Sequence, residues 1–362
     1  MPYNLGMNQV TLVLPFALPA PELVADLIRA MQAPALAALL TRTSAQQFFD
    51  FDNSTRVLPH EAWLAHALGL GPAPARVEAG VGFAAAAMRG FGLDPADGVW
   101  FLVHPVHVQI SRNHLLMGDP RQLALDDAES RALFDAAKPY FDEIGKPLLY
   151  GDAHTWFARA DDWAALRCAS PDAATSQNLN AWMPEGPCAL ATRKLQNEVQ
   201  MLWFNHPVNE ARQARGAAPV NFFWLWGGAQ ASPTPAATLS GAAGAGPTLF
   251  TSEVPAWLAA LAEPSRRAAS APLVLASNAD DALVVLGGLA GAGLNSDWSV
   301  WLMHLQMLER EWFAPLLAAL KDGRVGSVRL VLNHRDAYAE FTSTRGAQRK
   351  FWRKPTLNKL IK

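Results

Sequence analysis

Four polar residues fall in one short stretch, His206, Asn209, Arg212 and Asn221, and their types suit the capture of an anion. An arginine presents a planar fork that donates two hydrogen bonds to a phosphate or carboxylate at once. The same residues have a plainer reading, a helix break capped by Asn209 with solvated arginines around it. The sequence leaves both open. A second group, Ser111-Arg112-Asn113-His114, gathers donors just past a strand-like run, where α/β proteins bind ligands. A solvated loop is the simpler account of it. His334-Arg335-Asp336 follows the last strand-like run, and is either the edge of a site or a turn closed by a local Arg–Asp pair. It matches a kinase motif in letters only, since no glycine-rich loop precedes a lysine-bearing strand. His104 and His107, three apart on a strand, would point to opposite faces and make poor partners on one metal, with or without His114.

These residues need elements to hold them. Leu195, Val199, Leu202 and Trp203 recur at helical spacing and predict an amphipathic helix running toward His206. Pro207 interrupts it, Gly216 and Pro219 end the charged segment that follows, and 220–226 is an unbroken apolar run closed by Gly227-Gly228. Such a strand suits a buried, parallel sheet whose C-terminal edge faces a site. Earlier in the chain, 10–14 predicts a first strand, 22–40 a helix, 44–55 a loop and 59–70 a further helix. The run 99–110 predicts a strand in which Pro105 requires an edge or a bulge. Segment 126–141 reads as a helix, and 148–150 and 155–157 as strands around Gly151-Asp152. Beyond these, 230–247 is a crossover, 273–277 and 282–286 are strand candidates, 297–320 is one long helix and 327–332 the last strand. Strands alternating with helices around a middle region of another character argue an α/β fold with an inserted subdomain.

His206-Pro-Val-Asn209, Arg212, Gly216, Pro219-Val-Asn221 and Trp226-Gly227 together resemble the middle of the archaeal-type cofactor-independent phosphoglycerate mutases. The mutase-related regulatory proteins of proteobacteria are more similar still. The resemblance covers 100–345 loosely, and implies an alkaline-phosphatase-like three-layer α/β sandwich with an inserted α+β subdomain. The expected division is 1–98 and 217–344 for the two parts of the core, 99–216 for the insertion and 345–362 for a basic tail. The resemblance also implies two divalent metal ions, a hydroxyl nucleophile and several Asp and His ligands. The metals would activate the nucleophile and neutralise the transferring phosphoryl group. Where the resembled enzymes close the first strand with aspartate, this chain reads Leu14-Pro15-Phe16-Ala17. Ser44, Ser54 and Thr55 are the hydroxyls to hand, none in the family's Thr-Pro-Asn setting. The Asp-His pair after the last strand reads Asn333-His334, and the expected Asp-x-x-x-His group reads GGLAGAGLNSD, with Asp297 alone. Asparagine coordinates, but it brings no charge to hold a dication. The reading is therefore a regulatory or ligand-binding protein that is not an enzyme and has no metal cofactor. It keeps an anion pocket for a small phosphorylated or carboxylate ligand, drawn from His206, Asn209, Arg212, Asn221, Arg112, His114, His334 and Arg335. On this reading the residues around His334 are the remnant of a lost metal site. The alternative is a working phosphomutase with two manganese or zinc ions on ligands elsewhere.

The 362 residues suffice for two domains or for a core with a large insertion. A hydrophobic share of 51% supplies a sizeable core, and a net charge of −2 excludes a chain-wide field for nucleic acid or membrane. Cys168 and Cys188 are too few for a disulfide scaffold or a cysteine zinc site. The first residues lack the basic start of a signal peptide, and no apolar run reaches membrane-spanning length, so a cytoplasmic location is expected. The tail departs from the rest. Segment 345–362, from Arg345 to Lys362, holds seven basic residues and no acid, with Phe351-Trp352 among them. Cations interleaved with rings suit nucleic acid. The competing expectation is a terminus whose aromatic pair packs back on the body.

Overall fold

The computed structural model describes residues 6–19, 21–78, 80–111, 114–231 and 246–361. Its strands, in chain order, begin with β1 (Met7–Leu14), β2 (Ala45–Asp50), β3 (Gly98–Val106) and β4 (Val108–Ser111). There follow β5 (His114–Met117), β6 (Leu148–Asp152), β7 (Thr155–Arg159) and β8 (Phe222–Ala231). The last four are β9 (Thr248–Ser252), β10 (Asp281–Leu286), β11 (Val325–Asn333) and β12 (Ala337–Thr344). The chain divides into two compact units, one made of 1–52 with 237–362 and the other of 53–236.

The first unit is built on a six-stranded mixed sheet in the order β2-β12-β11-β1-β10-β9. β9, β10, β1 and β11 run parallel, and β12 and β2 are added antiparallel at one side. The second half of β1, 10–14, is apolar but for Thr11 because it lies at the centre of the sheet and is covered on both faces. Val10, Leu12 and Leu14 enter one cluster with Leu36, Leu40, Trp301, Phe313 and Leu316 from the helices, while Val13 on the other face is equally buried. The predicted helix over 22–40 is two helices, Val24–Ala30 and Pro34–Thr41, divided where Pro34 starts the second. The N-terminus of the second is capped from far along the chain. The buried Glu309 carboxylate accepts the Ala35 N–H at 2.6 Å and the Leu36 N–H at 3.0 Å, an acid where the helix dipole favours one. Glu309 reaches them from a π-helical turn, Glu309–Phe313, that interrupts the predicted single helix between Trp298–Leu308 and Ala314–Asp322.

The second unit carries the four-stranded sheet β6-β7-β3-β8 and the two-stranded β4-β5. It spans 53–236, where the insertion expected from the sequence covers 99–216. β8, assigned from its apolar run to a parallel core sheet, pairs antiparallel with β3 inside this unit. Its glycines do not end it. Gly227, at φ +67, and Gly228 sit inside the strand opposite a register shift between Trp100 and Leu102, which makes them a β-bulge. A Cβ on Gly228 would come within 2.5 Å of the Phe101 ring. Pro105 is tolerated because β7 pairs β3 only over 100–103, so the proline lies past the end of that partner. Tryptophans form the core here: Trp156, Trp203, Trp224 and Trp226 are all but fully buried, and Trp203 Nε1 donates to the Leu133 carbonyl at 3.1 Å.

Three further expectations are revised. Segment 273–277 falls mostly in a helix, Ala271–Ala276; 45–50 is an edge strand, not a loop; and β12 follows the strand expected to be last. Among the described residues no helix is long and apolar enough to cross a membrane.

Candidate functional site

His206, Asn209, Arg212 and Asn221 of the predicted anion pocket lie in the second unit, and hydrogen bonding commits them to the fold. Asp126 caps the helix Asp127–Glu143 by accepting the Glu129 N–H at 2.8 Å, which fixes Glu129 in its first turn. The Glu129 carboxylate then accepts from Arg212 and Arg215, each at 2.5 Å. Arg212 is fully buried. Besides Glu129 it donates to the carbonyls of Ala218 at 2.8 Å, Ala124 at 3.3 Å and Leu123 at 2.5 Å. No fork remains for an outside anion. Asn209 donates to the Trp203 and Val220 carbonyls at 2.8 and 2.7 Å and accepts the Val220 N–H at 2.8 Å. It staples the helix end to the start of β8. His206 is the N-cap of the helix Pro207–Ala214, its Nδ1 accepting the Val208 N–H at 3.3 Å. Asn221 accepts the Val108 N–H at 2.8 Å and donates to its carbonyl at 2.7 Å, replacing a strand partner. Where the sequence suggests an anion pocket, these hydrogen bonds give the four residues a structural role. Arg212 and Asn209 are buried and must be satisfied; backbone carbonyls do so for both, with the Glu129 carboxylate added for Arg212, while His206 and Asn221 are half-buried.

Arg112 lies outside the described residues. His114 opens β5 and pairs with Ser111 across the hairpin. His104 is buried and donates from Nδ1 to the His154 carbonyl at 2.6 Å, and burial holds its pKa down at about 4. His107 Nδ1 donates to the Pro219 carbonyl at 2.8 Å. Neither pairs on a metal with the other.

In the first unit the C-terminal ends of the four parallel strands lie side by side, at Ser252, Leu286, Leu14 and Asn333. Ligands of open α/β sheets bind outside that edge. After β11, His334 Nδ1 lies 2.5 Å from Asp336 Oδ1, and Arg335 is half-buried beside it. After β9, Glu253 takes φ +54, and its Oε2 stands 4.0 Å from His304 Nδ1. Gly288, after β10, leaves room for this pair, since a Cβ there would sit 2.6 Å from Glu253 Oε2 and 3.4 Å from His304 Nδ1. Glu253 and His304 were missed in the sequence because the strand that leads to Glu253 follows a long Ala, Gly and Pro stretch. After β1 the chain turns through Phe16, at φ +59 and buried. Its carbonyl accepts Trp301 Nε1–H at 2.8 Å, and a Cβ on Gly293 would come within 2.5 Å of the Phe16 Cβ. The first strand end is sealed by an aromatic side chain against a glycine.

Among the described residues one group of His, Cys, Asp or Glu has the spacing of a metal site, His60, Glu61 and Asp172 in the second unit, with ligand atoms within 4.8 Å of one another. Its members have other work. Glu61 Oε2 accepts the Leu58 N–H at 2.7 Å at the start of the helix Pro59–Ala67. Both Asp172 oxygens accept from Arg121, at 2.9 and 2.6 Å, and Arg121 also donates to Asp119 at 3.0 Å. Burial, with the Asp172 charge adding to it, lifts the Glu61 carboxyl to about 8, and burial lowers His60 to about 4. Both are neutral at pH 7. An arginine already balances the aspartate.

No family model and no curated protein matches the chain. Among solved structures, the PH0037 protein from Pyrococcus horikoshii superposes at TM-score 0.57 with 12% identity, over 99% of this chain and 92% of that one. The chain shares that protein's mixed α/β fold. A cofactor-independent phosphoglycerate mutase from Thermoplasma acidophilum aligns at TM-score 0.47 with 13% identity, over 98% and 94% of the two chains. At that score it adds no argument about the chemistry.

Proposed function

We propose that this chain is a cytoplasmic binding or regulatory protein, built as an alkaline-phosphatase-like three-layer sandwich related to the phosphoglycerate mutases, which performs no metal-dependent phosphoryl transfer. Phe16 carries the reading. A two-metal phosphomutase needs charged oxygen and imidazole ligands converging at the strand ends. The first strand end holds an aromatic ring in a closed apolar seat, the β10 end holds Gly287-Gly288, and the β11 end holds the amide Asn333. Glu253–His304 and His334–Asp336 stand near that edge as separate pairs, and among the described residues no three such groups there come within reach of one ion, so the donor set does not fit a pair of dications and no step is routed through them. Its ligand is a small phosphorylated or carboxylate compound met at the sheet edge by His334 and Arg335.

The test is metal content of the purified protein after exposure to manganese and zinc, beside a mutase assay on 3-phosphoglycerate and a thermal shift with that compound. The expected result is no stoichiometric metal, no turnover and a ligand-dependent rise in Tm. Two bound ions per chain with turnover would overturn the reading. A second reading rests on the His60, Glu61 and Asp172 spacing. It requires one bound ion, lost in Asp172→Asn.

A further inference from the structure

The tail is held to the first unit by its own contacts. Leu357 and Leu360 are buried in the core cluster. Thr356 N–H donates to Thr41 Oγ1, which in turn donates to the Thr356 carbonyl, both at 3.0 Å. Arg42 Nε donates to the Arg353 carbonyl at 3.2 Å, and Gln348 Nε2 donates to the Ala38 carbonyl at 3.2 Å and to Ser343 Oγ at 2.7 Å. The aromatic pair, expected to help dock it, does the reverse. Phe351 is 80% exposed and Trp352 68%, on the turn between the short helix Arg345–Gln348 and the docked end.

The charges around these rings have no counter-ion among the described residues, although Lys350 Nζ donates to the Thr43 carbonyl at 3.1 Å. Arg345, Arg349, Arg353 and Lys354 are exposed and Lys350 and Lys359 half-buried. Among the described residues none of the six lies within 4.0 Å of a carboxylate, whereas Arg29, Arg56, Arg121, Arg159, Arg212 and Arg329 each do. The whole chain has 30 basic and 32 acidic residues, and seven of the basic ones fall in 345–362, so the remainder is a markedly acidic body. A polyanion would be repelled by most of the surface and drawn to this face.

We propose that this face binds single-stranded nucleic acid, with the tail cations on phosphates and Trp352, seconded by Phe351, as a stacking platform. The rings stand at 82°, with centroids 5.3 Å apart, so each offers its own face and the two do not merge into one apolar wedge. Leu357 and Leu360 are turned inward. Exposed cations therefore outnumber the exposed rings, which suits a chain of regularly spaced charges carrying flat bases better than it suits a lipid interface. Stacking needs bases free of a partner strand.

The experiment is fluorescence anisotropy of labelled oligothymidylate with the full-length protein. Binding should weaken about fiftyfold between about 50 and 200 mM salt, the slope that about four neutralised phosphates give on a single strand. Phe351→Ala with Trp352→Ala should cost about tenfold or more in affinity, the scale of one lost base stack. Arg349→Glu, Arg353→Glu and Lys354→Glu together should abolish binding. These side chains are exposed, so each variant is expected to keep the parent Tm, and a variant that does not is replaced by single substitutions at the same positions. Absence of binding at low salt, equal binding by the variants, or equal affinity for duplex would overturn the proposal. So would binding to phosphatidylserine vesicles in place of the oligonucleotide.

Discussion

At the scale of single residues, chemistry and architecture compete for the same side chains, and in this protein depth decides between them. Arg212 has the type and the neighbours of an anion ligand, yet it is enclosed and spends its donors on Glu129 and three carbonyls. Arg212→Ala would leave those carbonyls without donors and half of the Glu129 carboxylate unpaired, so a loss of about 3 kcal/mol is expected, the scale for breaking a buried ion pair. Urea unfolding measures it. A variant as stable as the parent, but weaker toward phosphate, would return Arg212 to the binding role. What the sequence showed was residue type and local spacing. It could not show that 218, 124 and 123 converge on one guanidinium, because two of those partners lie some ninety residues away. Asn209 was legible in part: its capping alternative already pointed to the backbone, and the backbone is what it binds.

At the scale of elements, apolar runs announced β1, β3, β8, β10 and β11, while their partners stayed hidden. β8 is as apolar as a parallel core strand because both its faces are covered, and burial leaves the same pattern whichever direction the neighbour runs. β2 reads as a loop because its exposed edge position leaves Gln46 and Gln47 polar. The strand ends were better marked: the missing acid after β1 was visible as Leu14-Pro15-Phe16, and the structure adds that Phe16 is locked there. Gly293→Ala tests the lock. The new methyl would press on Phe16, whose carbonyl Trp301 already holds at 2.8 Å. An overpacking loss of about 1–3 kcal/mol is expected, read as a fall in Tm. An unchanged Tm would show that the ring swings aside and that the strand end opens to solvent.

At the scale of the molecule, His60, His104 and Glu61, all buried in the second unit, make stability depend on pH. His60 and His104 are held near 4, below the ordinary 6.5, by burial. The folded chain therefore binds fewer protons than the unfolded one between those values, and stability falls as pH drops below 6.5. Glu61 runs the other way. Burial first, and then Asp172, raise it from 4.5 to about 8, so the folded chain keeps a proton that the unfolded chain releases. Its contribution is complete below 4.5 and is lost as pH rises toward 8. Between 4.5 and 6.5 the two histidines outweigh the one glutamate, and above 6.5 the glutamate acts alone. Maximal stability is thus expected near pH 6.5, with a decline toward pH 8 that Glu61→Gln removes, since an amide still accepts the Leu58 N–H and has no proton to lose. Thermal unfolding from pH 4 to 9 on both proteins decides it. If the parent held its stability level from pH 6.5 to 8, Glu61 would be ionised in the fold, Glu61 and Asp172 would together carry two negative charges against the one positive charge of Arg121, and the single-ion reading of His60, Glu61 and Asp172 would regain its footing.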